Sequence, residues 1–311
     1  MSKAELKPLM LLWAGVALAG MLHPLGAILL RSYPLIVFAI LFVLFRVAAA
    51  LAHAKLTRTP LALPHKRHFV LMGLVGCGIH LCEFAPLMLG VRAATNSVLV
   101  ATVPLWAWVV ALGSGKKGAR SSLAPSLIVA AGAFLVVGMD SSPASSTGAL
   151  LLALLAGLLI SQWITMSSEA RAMGLGAVQV SFWYDLMTLC WLALALVLSL
   201  AAGLTGGWTQ RALDPLTLLF MLGYSVVVGY GANLALYWAA GRVSVITMGR
   251  ATALEPVGST LASAILLHQI PGLWFVLGAF MVVFGNMPDV ERLWSHVKGG
   301  VGESRRLRER S

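Results

Sequence analysis

Long runs of apolar residues, separated by short polar segments, recur along the whole chain. A run of roughly 20 mostly apolar residues is what an α-helix needs to cross about 30 Å of hydrocarbon. Runs of about this length predict ten membrane-spanning helices, called spans one to ten. They lie at 9–30, 34–53, 68–91, 94–113, 122–139, 147–168, 177–201, 216–240, 243–267 and 271–288.

The composition favours a membrane protein over a soluble one. The chain has 311 residues, of which 59% are hydrophobic and only 11% are charged. Its mean hydropathy is +0.89. The longest polar stretches are the 54–67 loop and the tail after Pro288, which leave little sequence for a soluble domain. We therefore predict an all-α integral membrane protein whose function is carried out within the bilayer.

The basic residues indicate which way the chain faces. With an intracellular N-terminus, eighteen of the 22 Lys and Arg residues fall on the cytoplasmic side, Arg46 among them. Arg31, Arg92 and Arg211 fall outside, and Arg250 lies within span nine. This positive-inside asymmetry predicts a multi-pass protein of the cell (inner) membrane with cytoplasmic N- and C-termini. It also accounts for the net charge of +11 without a nucleic-acid partner.

Spans five and ten contain nearly the same sequence. GAFLVVGM at 132–139 matches GAFMVVFGNM at 278–287. Two further pairs of segments agree in the same order along the chain. They are 71–87 with 221–237, and ATVP at 101–104 with ALEP at 253–256.

These matches predict two copies of a five-helix unit. The first repeat covers 1–140 and the second covers 147–288, with a basic cytoplasmic tail at 289–311. Because five is an odd number, the second copy enters the membrane from the opposite side. Inverted repeats of this kind allow two halves to exchange conformations around a central site, which is alternating access.

With these segments the chain resembles the drug/metabolite transporter superfamily, and within it the EamA-type ten-helix transporters. The resemblance covers essentially the whole chain. It is carried by APLMLGVRAATNSVLVATVPLWAWVVAL at 85–112 and by ALYWAAGRVSVITMGRATALEPVGSTLASAILLHQ at 235–269. Each segment has a short hairpin between paired helices and a proline inside the next helix, Pro104 and Pro256. The resemblance implies a secondary transporter.

Polar groups within the spans are the candidate site, since each is costly in hydrocarbon unless it is paired or faces water. His80 and Glu83 share one face of span three, because they are three residues apart. An offset of 150 residues maps them onto Tyr230 and Asn233 of span eight, and Tyr237 extends that face. The two pairs either line a central cavity or form a polar brace between spans three and eight.

Arg250 is the predicted binding group for an anion. Its guanidinium can hold a carboxylate or phosphate through two hydrogen bonds, and arginine at this place resembles a basic position of the superfamily. The alternative is an internal salt bridge from Arg250 to Glu83 or Glu255. Asp185 of span seven is predicted to be peripheral, near the membrane interface.

Aromatic and proline residues complete the candidate site. Trp163 and Tyr237 can form apolar or cation-π walls for a substrate, or belong to the core. Pro24, Pro104 and Pro256 are predicted bending positions for gating.

No cofactor or metal is predicted. Cys77, His80 and Cys82 lie in one span, but helix geometry separates the two cysteines by about 140° around the axis. The nucleotide-binding pattern G-x-x-x-x-G-K-[ST] is missing from the sequence, so transport driven directly by ATP is not expected.

We expect a transporter that exports small polar metabolites, with amino acids or related carboxylates as the first candidates. Arg250 would bind the carboxylate and Glu83 the amino group, while His80 with Glu83 is the candidate for proton coupling. The alternative cargo is an organic cation, a drug or a quaternary amine. A membrane enzyme is not expected, because His80 has no evident nucleophile partner. The expected partners are the small-molecule substrate and membrane lipids, and the chain would act as a monomer or homodimer.

Overall fold

All regular structure in the described part of the chain is helical. The computed structural model describes residues 3–63, 65–103, 105, 106, 109, 123–139, 146–203, 214–240 and 254–285. The helices are α1 Lys3–Gly20, α2 Leu22–Leu29, α3 Leu35–Thr57, α4 Lys66–Met88, α5 Ala93–Val100, α6 Leu123–Met139, α7 Thr147–Ala172, α8 Ala177–Ala201, α9 Pro215–Gly223, a π-helical segment Tyr224–Gly231, α10 Ala232–Ala240, α11 Glu255–Leu267 and α12 Leu273–Gly285.

Six stretches are long and apolar enough to cross a membrane. They correspond to predicted spans one, two, three, six, seven and eight. Their bounds are Met10–Leu29, Leu35–Thr57, Lys66–Met88, Thr147–Ala172, Ala177–Ala201 and Pro215–Trp238. The chain is therefore an all-α, multi-pass membrane protein, as its composition predicts.

Shorter helices occupy the other four predicted spans. Spans five, nine and ten contain apolar helical stretches at Ser126–Val137, Glu255–Leu267 and Leu273–Gly285. In span four, α5 ends at Val100 and a turn follows, in which the Thr102 hydroxyl donates to the Leu99 carbonyl at 2.6 Å. Parts of spans four, nine and ten lie outside the described residues, so the number of ten spans stays a prediction.

Span one is broken in two at Met21. The proline at position 24 has no N–H, so it cannot donate to the carbonyl of Gly20, where α1 ends. The chain continues through Met21, whose N–H bonds to Leu18 O at 2.9 Å, and α2 begins at the next residue. The break follows from the position of Pro24.

Span eight contains a π-helical segment that its sequence does not reveal. Tyr224–Gly231 forms this segment between α9 and α10. A π-helix closes i→i+5 hydrogen bonds and so has more residues per turn than an α-helix. Residues on either side of the segment therefore face different directions from those that a continuous α-helix would give.

Pairs of helices pack into one bundle. α6 lies against α12, and α3 lies against α8. α4 packs between α7 and α8, while α1 packs against α10 and α11. α5 contacts both α7 and α11, and the π-helical segment contacts α3. Four aromatic side chains, Phe38, Phe42, Phe84 and Tyr224, form the centre of the largest apolar cluster.

One close helix approach joins the two copies of the GAF motif. A Cβ atom built on Gly132 of α6 would lie 2.6 Å from the carbonyl oxygen of Gly278 in α12. A Cβ atom on Gly278 would in turn lie 2.7 Å from the carbonyl oxygen of Gly132. Both distances are well below van der Waals contact, so the two backbones can meet only because neither residue has a side chain.

We predict that Gly278→Ala lowers the free energy of unfolding by about 1–3 kcal/mol, because the added methyl overpacks the α6–α12 contact. Equilibrium unfolding of the purified protein in mixed detergent and SDS measures this change. Gly223→Ala is the matched control, since Gly223 lies in a helix with open space around the added methyl. Equal stability of the two variants would contradict the prediction.

Candidate functional site

A cavity lies among the helices of the bundle. Its volume is about 130 Å³, roughly ten times the space that one water needs. Helices from both halves of the chain line it. They are spans one, two and three of the first half and spans six, seven, eight and nine of the second. Its polar and aromatic walls are Phe42, Arg46, His80, Glu83, Trp163, Tyr184, Asn233 and Glu255.

Four of the sequence-predicted residues meet in this cavity. His80 and Glu83 of α4 line it, and so do Asn233 of α10 and Trp163 of α7. Tyr237 is 4% exposed and packs behind the Trp163 ring, with the two ring centroids 5.5 Å apart. The spacing of polar residues in the sequence therefore leads to one site in three dimensions.

Tyr230 lies elsewhere. Its hydroxyl is 2.9 Å from Nδ1 of His53 in α3, and its ring packs with Ala50 and Phe182. The three-residue spacing places Tyr230 and Asn233 on one face only in an α-helix. Tyr230 belongs to the π-helical segment, whose extra residue per turn directs its side chain away from the cavity.

The remaining predictions concern residues at helix ends or outside the described part. Arg250 and Pro104 lie outside the described residues. Pro256 occupies the first turn of α11, where a proline is compatible with the helix because its missing N–H is not required. Glu255 precedes it and lines the cavity.

Glu83 is tied to two neighbouring helices. One of its carboxylate oxygens, Oε1, lies 3.3 Å from Nε2 of His23 in α2. Its backbone carbonyl accepts a hydrogen bond of 2.8 Å from the side-chain amide of Asn96 in α5. Both Glu83 and His23 are buried. These contacts fix the carboxylate at the wall of the cavity.

His80 lies one turn before Glu83 with no hydrogen-bond partner among the described residues. Both of its ring nitrogens are buried and unbonded there. The ring stands edge-on to Phe42, with centroids 5.5 Å apart. A buried imidazole that faces a cavity can donate to or accept from a bound ligand or water.

A buried ion pair that the sequence analysis missed joins α3 to α8. The Nη2 atom of Arg46 lies 2.6 Å from Oδ1 of Asp185, and the two residues are 2% and 0% exposed. The Ser181 hydroxyl donates to the other carboxylate oxygen of Asp185 at 3.4 Å. The guanidinium also lies over the rings of Phe42, at 5.2 Å, and Tyr184, at 5.9 Å.

Two predictions are wrong at this pair. Asp185 was expected near the membrane interface, but its carboxylate is fully buried. Arg46 was assigned to the cytoplasmic side, but it is the twelfth residue of the 23-residue helix α3. The signal that could have found them is the opposite charge of one residue in each of two neighbouring apolar spans, because unpaired charges are costly in hydrocarbon.

Glycines create the room for these charges. A Cβ atom on Gly76 of α4 would lie 2.7 Å from Cε2 of Tyr184, so α4 can approach α8 only with glycine there. A Cβ atom on Gly229 would lie 2.7 Å from the Phe42 ring and 3.0 Å from Cδ of Arg46. The arginine therefore runs past the π-helical segment at a point with no side chain in its way.

The charges around the cavity leave a polarised site. Arg46 is paired with Asp185, and Glu83 is paired with His23. Glu255 has neither an ion pair nor a hydrogen bond with the described residues. The site can therefore accept a ligand that carries at least one positive group, with aromatic faces beside it.

We predict that Asp185→Ala lowers the free energy of unfolding by about 3–5 kcal/mol, because it leaves Arg46 buried without a counter-charge. The double variant Arg46→Met/Asp185→Leu should be much less destabilised, since it removes both charges and keeps apolar volume. SDS-induced equilibrium unfolding of the three proteins tests the pair. If the double variant loses as much free energy of unfolding as Asp185→Ala, the result contradicts this role of the ion pair.

Comparison with known proteins gives information about the fold only. Neither a family model nor a curated protein matches the chain. A crystal structure of a protein matches its fold with a TM-score of 0.63, over 90% of this chain and 94% of that chain. The two sequences are 17% identical, so the likeness extends to the arrangement of helices and not to function.

Proposed function

We propose that the chain is a secondary-active transporter that works by alternating access. In this proposal it exports small polar metabolites, amino acids or related carboxylates foremost. The observation that carries the proposal is the cavity among the membrane-spanning helices, with charged and polar side chains in its wall. Polar and charged groups within a membrane are costly, and those that face a cavity mark substrate or ion pathways.

The packing of the helices supports two inverted repeats. If spans one to five are exchanged with spans six to ten, the contact between α4 and α7 becomes the contact between α10 and α1. In the same way, the contact between α4 and α8 becomes the contact between the π-helical segment and α3. It also converts α5–α7 into α11–α1. The pairs α3–α8, α5–α11 and α6–α12 each join a span to its own equivalent. Such a pattern is expected of a pseudo-two-fold axis.

The glycine contact supports the same axis. Gly132 and Gly278 are the first residues of the two GAF motifs, and each one approaches the carbonyl of the other. A two-fold axis that relates the repeats would pass between them. With it, the two halves can adopt each other's conformations around the cavity, which lies between them.

The size and walls of the cavity favour a small substrate. A cavity of about 130 Å³ is smaller than the roughly 300–1,000 Å³ of sites for drug-sized ligands. Glu83 and Glu255 offer acceptors for an ammonium group, and Asn233 and His80 offer further hydrogen bonds. Proton coupling through His80 and Glu83 is part of the proposal, because both are buried titratable groups at the substrate site.

A second candidate function is transport of organic cations or quaternary amines. It is favoured by the two carboxylates of Glu83 and Glu255 beside the aromatic faces of Trp163 and Tyr184. Aromatic faces and carboxylates together attract ammonium groups. The cargo is what distinguishes the two candidates, since the cavity and the mechanism are shared.

The remaining parts of the proposal follow from the sequence. The resemblance to EamA-type transporters and the positive-inside pattern support a place in the inner membrane with both termini cytoplasmic. The protein is proposed to be a transporter and not an enzyme, and to need no cofactor.

We predict that Glu83→Gln reduces efflux of amino acids from loaded proteoliposomes by about tenfold or more, because a hydrogen bond between charged groups contributes about 1.5–3 kcal/mol. Glu169→Gln is the matched control, since the side chain of Glu169 is 56% exposed. Its efflux should equal that of the wild type.

If wild-type proteoliposomes release neither amino acids nor amines, the proposed function is overturned. Efflux of quaternary amines without amino acids would support the second candidate instead. Equal efflux by Glu83→Gln and the wild type would remove Glu83 from the site.

A further inference from the structure

We infer that Arg46 binds the carboxylate of the substrate, held in place by Asp185, so that the site selects molecules with both an ammonium and a carboxylate group. This inference rests on the proposed function and names its substrate class. It assigns to Arg46 the role that was predicted from the sequence for Arg250.

The position of Arg46 supports this inference. Its side chain is 3% exposed and lines the cavity from α3, near the middle of that helix. The Nε–H group is buried and has no hydrogen-bond partner among the described residues. A buried donor without a partner is costly, and a ligand oxygen in the adjacent cavity would satisfy it.

Asp185 does not occupy all the donors of the guanidinium. An arginine has five N–H donors, and the ion pair with Asp185 joins Nη2 to a single carboxylate oxygen. Asp185 itself does not line the cavity, so it holds the guanidinium from behind. Asp185 is therefore a positioning residue, and Arg46 is the residue that contacts the ligand.

Two aromatic rings make the position rigid. The guanidinium carbon lies 5.2 Å from the centroid of Phe42 and 5.9 Å from that of Tyr184. Gly229 leaves room for the arginine stem, whose Cδ would be 3.0 Å from a Cβ atom at that position. A donor held in one orientation loses little conformational entropy when it binds a carboxylate.

Groups of opposite charge lie elsewhere in the same cavity. Glu83 and Glu255 supply acceptors on α4 and α11, and Arg46 supplies a donor on α3. A molecule with an ammonium and a carboxylate satisfies both. An amine alone leaves the Arg46 donor unsatisfied, and a carboxylic acid alone brings no positive group to Glu83 and Glu255, so each should bind more weakly.

The test uses three probes that share one apolar side chain. Leucine carries both charged groups, isoamylamine carries only the ammonium, and 4-methylpentanoate carries only the carboxylate. A branched aliphatic chain suits the apolar part of the wall, which includes Leu22, Ile79, Ile160 and Val228. Apparent Kd values are measured by titration of the full-length protein in detergent.

The variants separate binding from folding. Arg46→Gln/Asp185→Asn replaces the ion pair by two neutral amides of similar size. Arg46→Lys keeps the charge opposite Asp185 but lacks the Nε–H donor. Arg58→Gln is the control, because Arg58 is an exposed arginine at the C-terminal end of the same helix. Monodispersity and Tm are recorded for each protein.

The expected result is a change in preference and not a general loss. Wild type and Arg58→Gln should bind leucine about tenfold or more tightly than either analogue. In the double variant the Kd of leucine should rise by about tenfold, to the level of isoamylamine, whose own Kd changes less than about threefold. Arg46→Lys should lose part of the preference for leucine over the amine.

Other outcomes overturn the inference in distinguishable ways. Leucine and isoamylamine weakened equally by the double variant would mean that Arg46 acts only in folding. An unchanged preference in Arg46→Lys and in the double variant would remove Arg46 from the site. A wild type that binds the amine but not leucine overturns the inference and leaves a cation transporter. A wild type that binds and transports none of the probes overturns the proposed function as well.

Discussion

The ion pair between Arg46 and Asp185 is the constraint on which the centre of the molecule depends. Both residues are almost fully buried, and each lies in a helix whose other residues are mostly apolar. Transfer of two charges from water into such surroundings is costly, and only close pairing offsets the cost. The pair therefore fixes how α3 and α8 meet, and with them the rings of Phe42 and Tyr184 that stand at the cavity.

Two irregular backbone segments lie beside the same cavity. The break at Met21 and the π-helical segment Tyr224–Gly231 lie in spans one and eight, both of which line it. In hydrocarbon every backbone polar group must be satisfied, so departures from the α-helix occur only where protein or a cavity surrounds them. The hydroxyl of Tyr224 illustrates the point, since it donates at 2.9 Å to the carbonyl of Leu22, next to the break.

Much of this arrangement could be predicted from the sequence, because it depends on local patterns. Apolar runs located the six long spans, and the i, i+3 spacing of His80 and Glu83 placed both at the cavity. Pairing across helices is not a local pattern. Arg46 and Asp185 are far apart in the sequence, so each looked like an isolated charge that would move toward water. Tyr230 was misplaced because nothing in its surroundings signals a π-helix.

The contact between Gly132 and Gly278 has a consequence for the genetics of this protein. A mutation that enlarges a side chain in a core can often be suppressed by a smaller residue at the neighbouring position. Here the nearest neighbour is a backbone carbonyl on each side, and both positions already carry the smallest amino acid. Neither glycine can compensate for a change in the other, so suppressors must arise where they let α6 and α12 move apart. The two positions are constrained together although neither residue has a side chain.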